Sequence, residues 1–282
     1  YNANAMTDPL CYVNGAMIPL AEASVGVLDL GVTRGFGIYE GITAFGGEPF
    51  RFNDHWERFE KSAGVLGLTL QRTKNEVLDA MRTLIAHNGD GGRVNFRMVL
   101  TGGEALDGIG HVPGRETLFI TAEASVPLSA ALYESGGHLI SHEHQRFMPE
   151  IKTVDYITAV ILQKKRAAEG AIEILYTNGS RVLECATSNV FIVKDGAVRT
   201  PDADMLHGIT RKVALELARE SYPVEERAVS VDELFDADEA FITSSFKDIV
   251  PIISIDERTI GNGMPGRVTR NLMERFAKYA NS

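Results

Sequence analysis

The run IEILYTNGSRVLECATSNVFIVKDGAVRTP, residues 172–201, reads as three strands in succession, broken by Asn178-Gly179 and Asp195-Gly196. Asparagine or aspartate followed by glycine tolerates the positive φ of a two-residue hairpin turn, the strongest short-range hairpin signal. Consecutive strands without an intervening helix do not fit a doubly wound sheet, which alternates the two, so the fold class predicted is α+β. Within the run, Glu184 ends one strand and CATS (185–188) turns into the next. A carboxylate in such a partly buried turn is costly unless it faces a cation.

On the N-terminal side, CYVNGAMIPL (11–20) and EPFRFN (48–53) read as short strands. NDHWERFEKSAGVLGL (53–68) reads as an amphipathic helix, with Asn53 or Asp54 as its cap and Trp56, Phe59, Ala63 and Leu66 at helical spacing. KNEVLDAMRTLIAHNG (74–89) is a second helix, stopped at Asn88-Gly89. RVNFRMVLTGG and ETLFITAEA are strands, and SVPLSAALYESGG (125–137) loses periodicity and reads as a linker. Beyond it come a strand in GHLISHEHQRF, a helix over 153–169, a helix in GITRKVALELARE, strand-loop-strand in EAFITSSFKDIVPIISI and a closing helix in GRVTRNLMERFAKYA. GFG at 35–37 reads as a turn, and no internal repeat is visible.

The 282 residues carry a net charge of −10 and are 44% hydrophobic, enough for one large or two ordinary domains. An acidic chain is a poor match to nucleic acid or an anionic membrane, and no apolar run is long enough to span a bilayer. Two cysteines, Cys11 and Cys185, make no disulfide framework and fit a reducing, cytoplasmic setting. The opening YNANA before Met6 reads as added residues, and no basic-then-apolar leader is expected.

Nucleotide-loop signatures are missing. His142 and His144 share a strand face, but no third ligand is evident, so no metal is expected. Cys185 has no histidine with a clear orienting partner nearby and reads as a buried structural thiol. Lys152, in PEIKTVDY, stands where a strand ends and a helix begins, whereas Lys164, Lys165 and Arg166 read as a solvated helix face. HGITRKV places the amides of Ile209 and Thr210 at a helix start, where an anion is favoured. Ser244 and Ser245 end a strand, and Arg58 can supply a fork-shaped charge. Phosphate-type groups, a held lysine and an acid suggest a phosphorylated carbonyl cofactor: the lysine for its aldehyde, Glu184 for its ring nitrogen.

Five segments carry a resemblance: LDLGVTRGFGIYEGITAFGGEPFRFNDHWERFEKSAGVLGL, PEIKTVDY, VLECATSNVFIVKDG, LHGITRKVALELARE and FITSSFKDIVPI. In order and spacing they resemble the class IV, fold-type IV pyridoxal-phosphate aminotransferases, a family that includes branched-chain and D-amino-acid aminotransferases and aminodeoxychorismate lyases. The resemblance spans about residues 10–280. It implies pyridoxal 5'-phosphate as cofactor, with Lys152 bound to its aldehyde carbon and Glu184 bonded to its ring nitrogen. By the same resemblance Arg58, Ile209, Thr210 and Ser245, beside Ser244, take the phosphate. Leu206 lies beneath the ring, Thr187 is in the turn along its face, and Tyr39 is the active-site tyrosine. Cys185 stands where the family usually has glycine. A small α/β domain (6–122), a linker (123–135) and a larger pseudo-barrel domain (136–282) are implied, with the cofactor at the domain interface, in a homodimer.

The activity implied is transfer of an amino group between an amino acid and a 2-oxo acid. The alternatives are the lyase of the same fold, which eliminates pyruvate, or a cofactor-binding protein without turnover. Arg34 and Arg97 are the candidates for the substrate carboxylate. TRGFGIYE, RMVLTGG and MPEIKT together resemble a less typical group of D-amino-acid aminotransferases that lack the usual Arg-x-His carboxylate trap. Only Arg34 leans that way, because an arginine matching Arg97 also occurs in branched-chain enzymes. A structural ion pair of either arginine with Asp29, Glu40 or Glu104 is the competing expectation.

Overall fold

The computed structural model describes residues 8–89 and 91–282, and the YNANA reading lies outside them. They form two compact units: residues 8–126 with Ile151–Asp155, and Pro127–Glu150 with Tyr156–Ser282.

In the first unit the elements are β1 (Leu10–Val13), β2 (Ala16–Pro19), α1 (Leu30–Arg34), β3 (Gly37–Phe45), β4 (Glu48–Pro49), α2 (Phe52–Leu66), α3 (Lys74–Asn88), β5 (Val94–Thr101) and β6 (Thr117–Ala124). The strands make an antiparallel sheet of order β2-β1-β6-β5-β3-β4. α2 lays Phe52, Trp56, Phe59 and Ala63 against β3, and α3 buries Val77, Ala80, Met81 and Leu84 against β1 and β6. EPFRFN is not a whole strand. It yields only Glu48–Pro49, and α2 starts earlier than Asn53 or Asp54 would allow as caps. Its N-cap is Arg51, held at φ 50° with no side-chain cap. Asp29 is the cap of the unforeseen α1, accepting from the Gly31 amide at 2.7 Å.

The second unit holds α4 (Ala130–Ser135), β7 (Gly137–Glu143), α5 (Ile157–Ala168), β8 (Glu173–Asn178), β9 (Arg181–Cys185), β10 (Asn189–Lys194), β11 (Ala197–Thr200), α6 (Ile209–Arg219), β12 (Val224–Glu226), β13 (Val229–Ser230), α7 (Val231–Phe235), β14 (Glu239–Ser244), β15 (Asp248–Ile255), β16 (Arg258–Thr259) and α8 (Arg267–Ala280). Residues 172–201 thus carry four strands, because the 186–188 turn divides β9 from β10 in addition to the two glycine turns. α4 falls in the stretch read as an aperiodic linker; six residues are too few to show a helical period.

Sheet order in the second unit is β12-β11-β10-β14-β15-β7-β8-β9-β13, with β16 on β15. β9 and β10 are five steps apart in that order, roughly 24 Å across a flat sheet. Yet residues 186–188 alone connect them, a reach of roughly 14 Å. The sheet therefore curls back on itself, which is the barrel-like form of the unit. α6 packs on β14 and α8, and α8 and α4 cover β15.

At the centre of this sheet Phe191 on β10 and Phe241 on β14 are register partners, fully buried and stacked with centroids 4.6 Å apart. Phe241→Ala is expected to destabilise the second unit by about 3–5 kcal/mol, read as a lower urea midpoint. A midpoint equal to wild type would show that the pair is not part of the stabilising core.

Candidate active site

In the first unit Lys152 belongs to an extended segment laid along the N-terminal end of β3. Its carbonyl accepts from the Tyr39 amide at 2.9 Å, Val154 N donates to Gly37 O at 3.1 Å, and Ile38 bridges Thr153. Lys152 is thus not at the end of β7, which closes at Glu143, nor inside a helix, because α5 begins only at Ile157. The backbone pairing sets the lysine ammonium 4.4 Å from the centre of the Tyr39 ring, a cation–π distance.

One residue on, β3 buries a charge. Glu40 has no exposed surface, and its two oxygens take Arg58 as a fork, Nε to Oε1 at 2.8 Å and Nη2 to Oε2 at 2.7 Å. His55 Nδ1 lies 2.7 Å from Oε2. The helical period of α2 puts His55 and Arg58 three residues apart on the face that meets β3. Burial alone would raise the Glu40 carboxyl, but the Arg58 charge and the bonds from Arg58 and His55 outweigh it and hold the group at about 2. Burial pushes His55 down; Glu40 opposes this, while the Arg58 and Lys152 charges add to it.

Neither candidate for the substrate carboxylate pairs as expected. Arg97 projects from β5 onto Glu123 of β6, and not onto Asp29, Glu40 or Glu104. Arg34, exposed at the end of α1, donates to the Thr33 carbonyl at 2.7 Å. Asp29 is taken by the Thr101 and Thr117 hydroxyls, each at 2.8 Å.

In the second unit Glu184 is buried at the end of β9. Arg146 Nε donates to Oε1 at 2.7 Å and the Leu206 amide to Oε2 at 3.0 Å. Arg146 also donates to the Pro149 carbonyl. Asn189 Nδ2 donates to the Leu206 carbonyl at 2.6 Å, so the loop entering α6 is tied to both ends of the 186–188 turn. α6 opens at Gly208 with no side-chain cap and no acidic residue in its first turn, leaving the amides of Ile209 and Thr210 suited to an anion. A Cβ at Gly208 would lie 2.2 Å from Asn189 Oδ1, so no side chain fits there. The Ser244 hydroxyl, at the end of β14, is buried without a hydrogen-bond partner.

Thr187 is engaged elsewhere: its hydroxyl donates to Glu173 at 2.5 Å and accepts from Lys247 at 2.7 Å. Cys185 is buried within β9, and burial pushes its thiol well up, which suits a structural role. Its backbone φ is not in the left-handed region, so glycine is not required there, and its amide closes the turn on Ser188 O at 2.7 Å. Burial pushes the Tyr176 hydroxyl up, and the charges of Glu173, Tyr156 and Glu184 push it further. Among the described residues no cluster of metal-ligating side chains occurs.

Sequence reasoning missed His55, Arg146, Asn189, Glu173 and Lys247, and named Glu40 only as a partner of Arg34 or Arg97, not of Arg58. The legible signal was Glu40, an acid inside the otherwise apolar run GIYEGITAF.

The class IV aminotransferase family model matches residues 37–255, and the chain belongs to that family. A putative branched-chain-amino-acid aminotransferase of Methanocaldococcus jannaschii is 33% identical over 278 residues, 94% of each chain. The D-alanine aminotransferase of Staphylococcus haemolyticus is 32% identical over 284 residues, 96% of this chain and 98% of its own. The branched-chain amino acid aminotransferase of Thermobaculum terrenum, solved in its PLP-bound holo form, superposes with a TM-score of 0.85 at 28% identity, covering 98% of this chain and 95% of that one. The fold is therefore the α+β, fold-type IV class, and the chain is a pyridoxal-phosphate-dependent aminotransferase.

The Glu40 cluster sets an acid limit. Its folded carboxyl titrates at about 2, below the 4.5 of an unpaired glutamate, so pairing stabilises the first unit above about pH 4.5. That contribution is lost as pH falls from about 4.5 towards 2. The gap in urea midpoint between wild type and Glu40→Gln is expected to narrow across this window. A gap of constant size would show that the ion pair is not its source.

Proposed function

We propose that this aminotransferase takes its amino group from a D-amino acid and passes it to a 2-oxo acid. Lys152 is the covalent anchor and proton carrier, and Glu184 is the partner of the ring nitrogen. The start of α6 (Ile209, Thr210), Ser244, Ser245 and Arg58 take the phosphate. The observation that carries the reading is the buried Glu184 carboxylate, fastened to the loop that runs into an uncapped helix start. An acid for a ring nitrogen and free amides for a phosphate are then joined by one short segment. The partnerless Ser244 hydroxyl supports the same fit, since a phosphate oxygen would satisfy it.

Pyridoxal phosphate, when bound, supplies an aldehyde carbon that captures an amine and a ring that draws electrons from the substrate α-carbon. The chain's residues do the rest. Glu184, positioned by Arg146 and the Leu206 amide, would hold a proton on the ring nitrogen. The Lys152 amine would serve as general base and acid for the substrate α-proton, with the Tyr39 ring beside it limiting its swing. Glu40 fixes the Arg58 fork and so its charge for the phosphate. Leu206 would supply the apolar floor for the ring, and Thr187 would act through its turn.

The handedness rests on Arg34. Among the described residues it has no carboxylate partner, whereas Arg97 is already bound to Glu123, so Arg34 is the charge available for an α-carboxylate. An L-branched-chain substrate is the second reading, favoured by the likeness to the branched-chain enzyme of Thermobaculum terrenum. A homodimer is supported by the exposed apolar row Ile157, Val160 and Ile161 on α5. A cytoplasmic setting is supported by two unpaired cysteines. No helix among the described residues is long and apolar enough to cross a membrane.

Lys152→Ala is expected to abolish transamination, and borohydride reduction of wild type should fix the cofactor to Lys152 in the peptide map. An adduct on Lys164, Lys165 or Lys194 would overturn the assignment. Glu184→Gln should fold and bind cofactor but turn over slower by roughly two orders of magnitude or more, because an amide cannot keep the ring nitrogen protonated. Single-turnover absorbance with D-alanine, D-glutamate, L-leucine and L-glutamate tests handedness. Conversion of the cofactor to its amine form by the L-enantiomers alone would reject Arg34 as a D-substrate clamp.

A further inference from the structure

Lys247 lies in the three-residue loop of the β14–β15 hairpin, in which Ser244 and Asp248 are register partners. Its ammonium turns inward. It meets Glu173 Oε2, at the start of β8, at 2.6 Å, and the Thr187 hydroxyl in the 186–188 turn at 2.7 Å. Glu173 is buried, and the same oxygen also accepts from Thr187 at 2.5 Å and from Ser188 Oγ at 3.1 Å. The loop end of this contact is itself fastened, since the Lys247 carbonyl accepts from the Tyr133 hydroxyl of α4 at 3.1 Å. Burial raises the Glu173 carboxyl, but the Lys247 charge and the bonds it receives bring it below its ordinary value, so the pair is ionic.

We propose that Lys247 and Glu173 form a clasp that fixes the hairpin carrying Ser244 and Ser245 against the turn that follows Glu184, making both positioning residues for the phosphorylated cofactor. The inference rests on the phosphate and ring-nitrogen roles proposed above. Ser245 lies two residues before Lys247, and Glu184 lies three before Thr187. The clasp therefore ties the hairpin that carries the phosphate hydroxyls to the turn that follows Glu184, and so sets the separation between the two. A buried ion pair adds little net stability over apolar side chains of the same size, because desolvating two charges offsets their attraction. Its distinctive effect is on where the loop and turn sit. Neither residue touches the reacting atoms, so neither is catalytic.

A cofactor without its phosphate spans only the ring end and does not sense the separation. The test follows: the full chain, freed of cofactor, is titrated by absorbance with pyridoxal 5'-phosphate and with pyridoxal, for wild type, Lys247→Met and Lys247→Gln. The ratio of the two dissociation constants reads the advantage given by the phosphate, and covalent capture by Lys152 cancels in it. Lys247→Met is expected to reduce that advantage by at least about tenfold, and Lys247→Gln, which still donates to Glu173, by less. A purely structural pair would lower the melting temperature and weaken both ligands alike, so an unchanged ratio overturns the clasp. Should Lys247→Met fail to fold, Lys247→Gln carries the same comparison. A wild type that binds neither compound would instead overturn the cofactor roles themselves, and the clasp with them.

Discussion

Three residues, Ala186 to Ser188, connect two strands that stand five positions apart in a ten-stranded sheet, and much of the second unit follows from that short connection. The chain cannot stretch, so the sheet must bend. Bending gathers strand ends that a flat sheet would spread along an edge. Glu184, Thr187 and Asn189 are brought to one end, where the loop into α6 and the β14–β15 hairpin also arrive. The polar groups there satisfy one another: Glu184 with Arg146 and Leu206, Glu173 with Lys247, Thr187 and Ser188. Each carboxylate is buried at a cost that only these partners offset.

The first unit solves a similar problem with a helix in place of a turn. Glu40 sits on a strand whose neighbours are apolar, and α2 answers it with His55 and Arg58 from the same face that supplies Trp56 and Phe59. Apolar burial and charge pairing therefore share one helix. The segment carrying Lys152 then continues the sheet beyond the edge of β3, so the lysine is placed by backbone hydrogen bonds and not by its own side chain.

Long amphipathic helices were legible because their period repeats: α2, α3, α6 and α8 stand close to where Trp56, Leu84, Val213 and Leu272 place them. α1 and α4 span too few residues to show a period, and α2 begins at a left-handed arginine that no capping rule anticipates. The candidate site was legible only where a motif is local. Glu184 before its turn and Ile209-Thr210 at a helix start are contiguous patterns. Lys247 and Glu173 are 74 positions apart, and Arg146 and Glu184 are 38 apart. Each looks alone like a surface charge, and only the sheet order makes it a partner.

The two thiols have a practical consequence. Cys11 is buried in the sheet of the first unit and Cys185 in that of the second, and burial pushes both thiols up in the folded chain. A thiol reagent that attacks only exposed thiolate meets neither until its surroundings open. Each compact unit therefore carries one built-in reporter of its own breathing. Peptide mapping of which cysteine is modified over time separates opening of the unit that holds Lys152 from opening of the unit that holds Glu184.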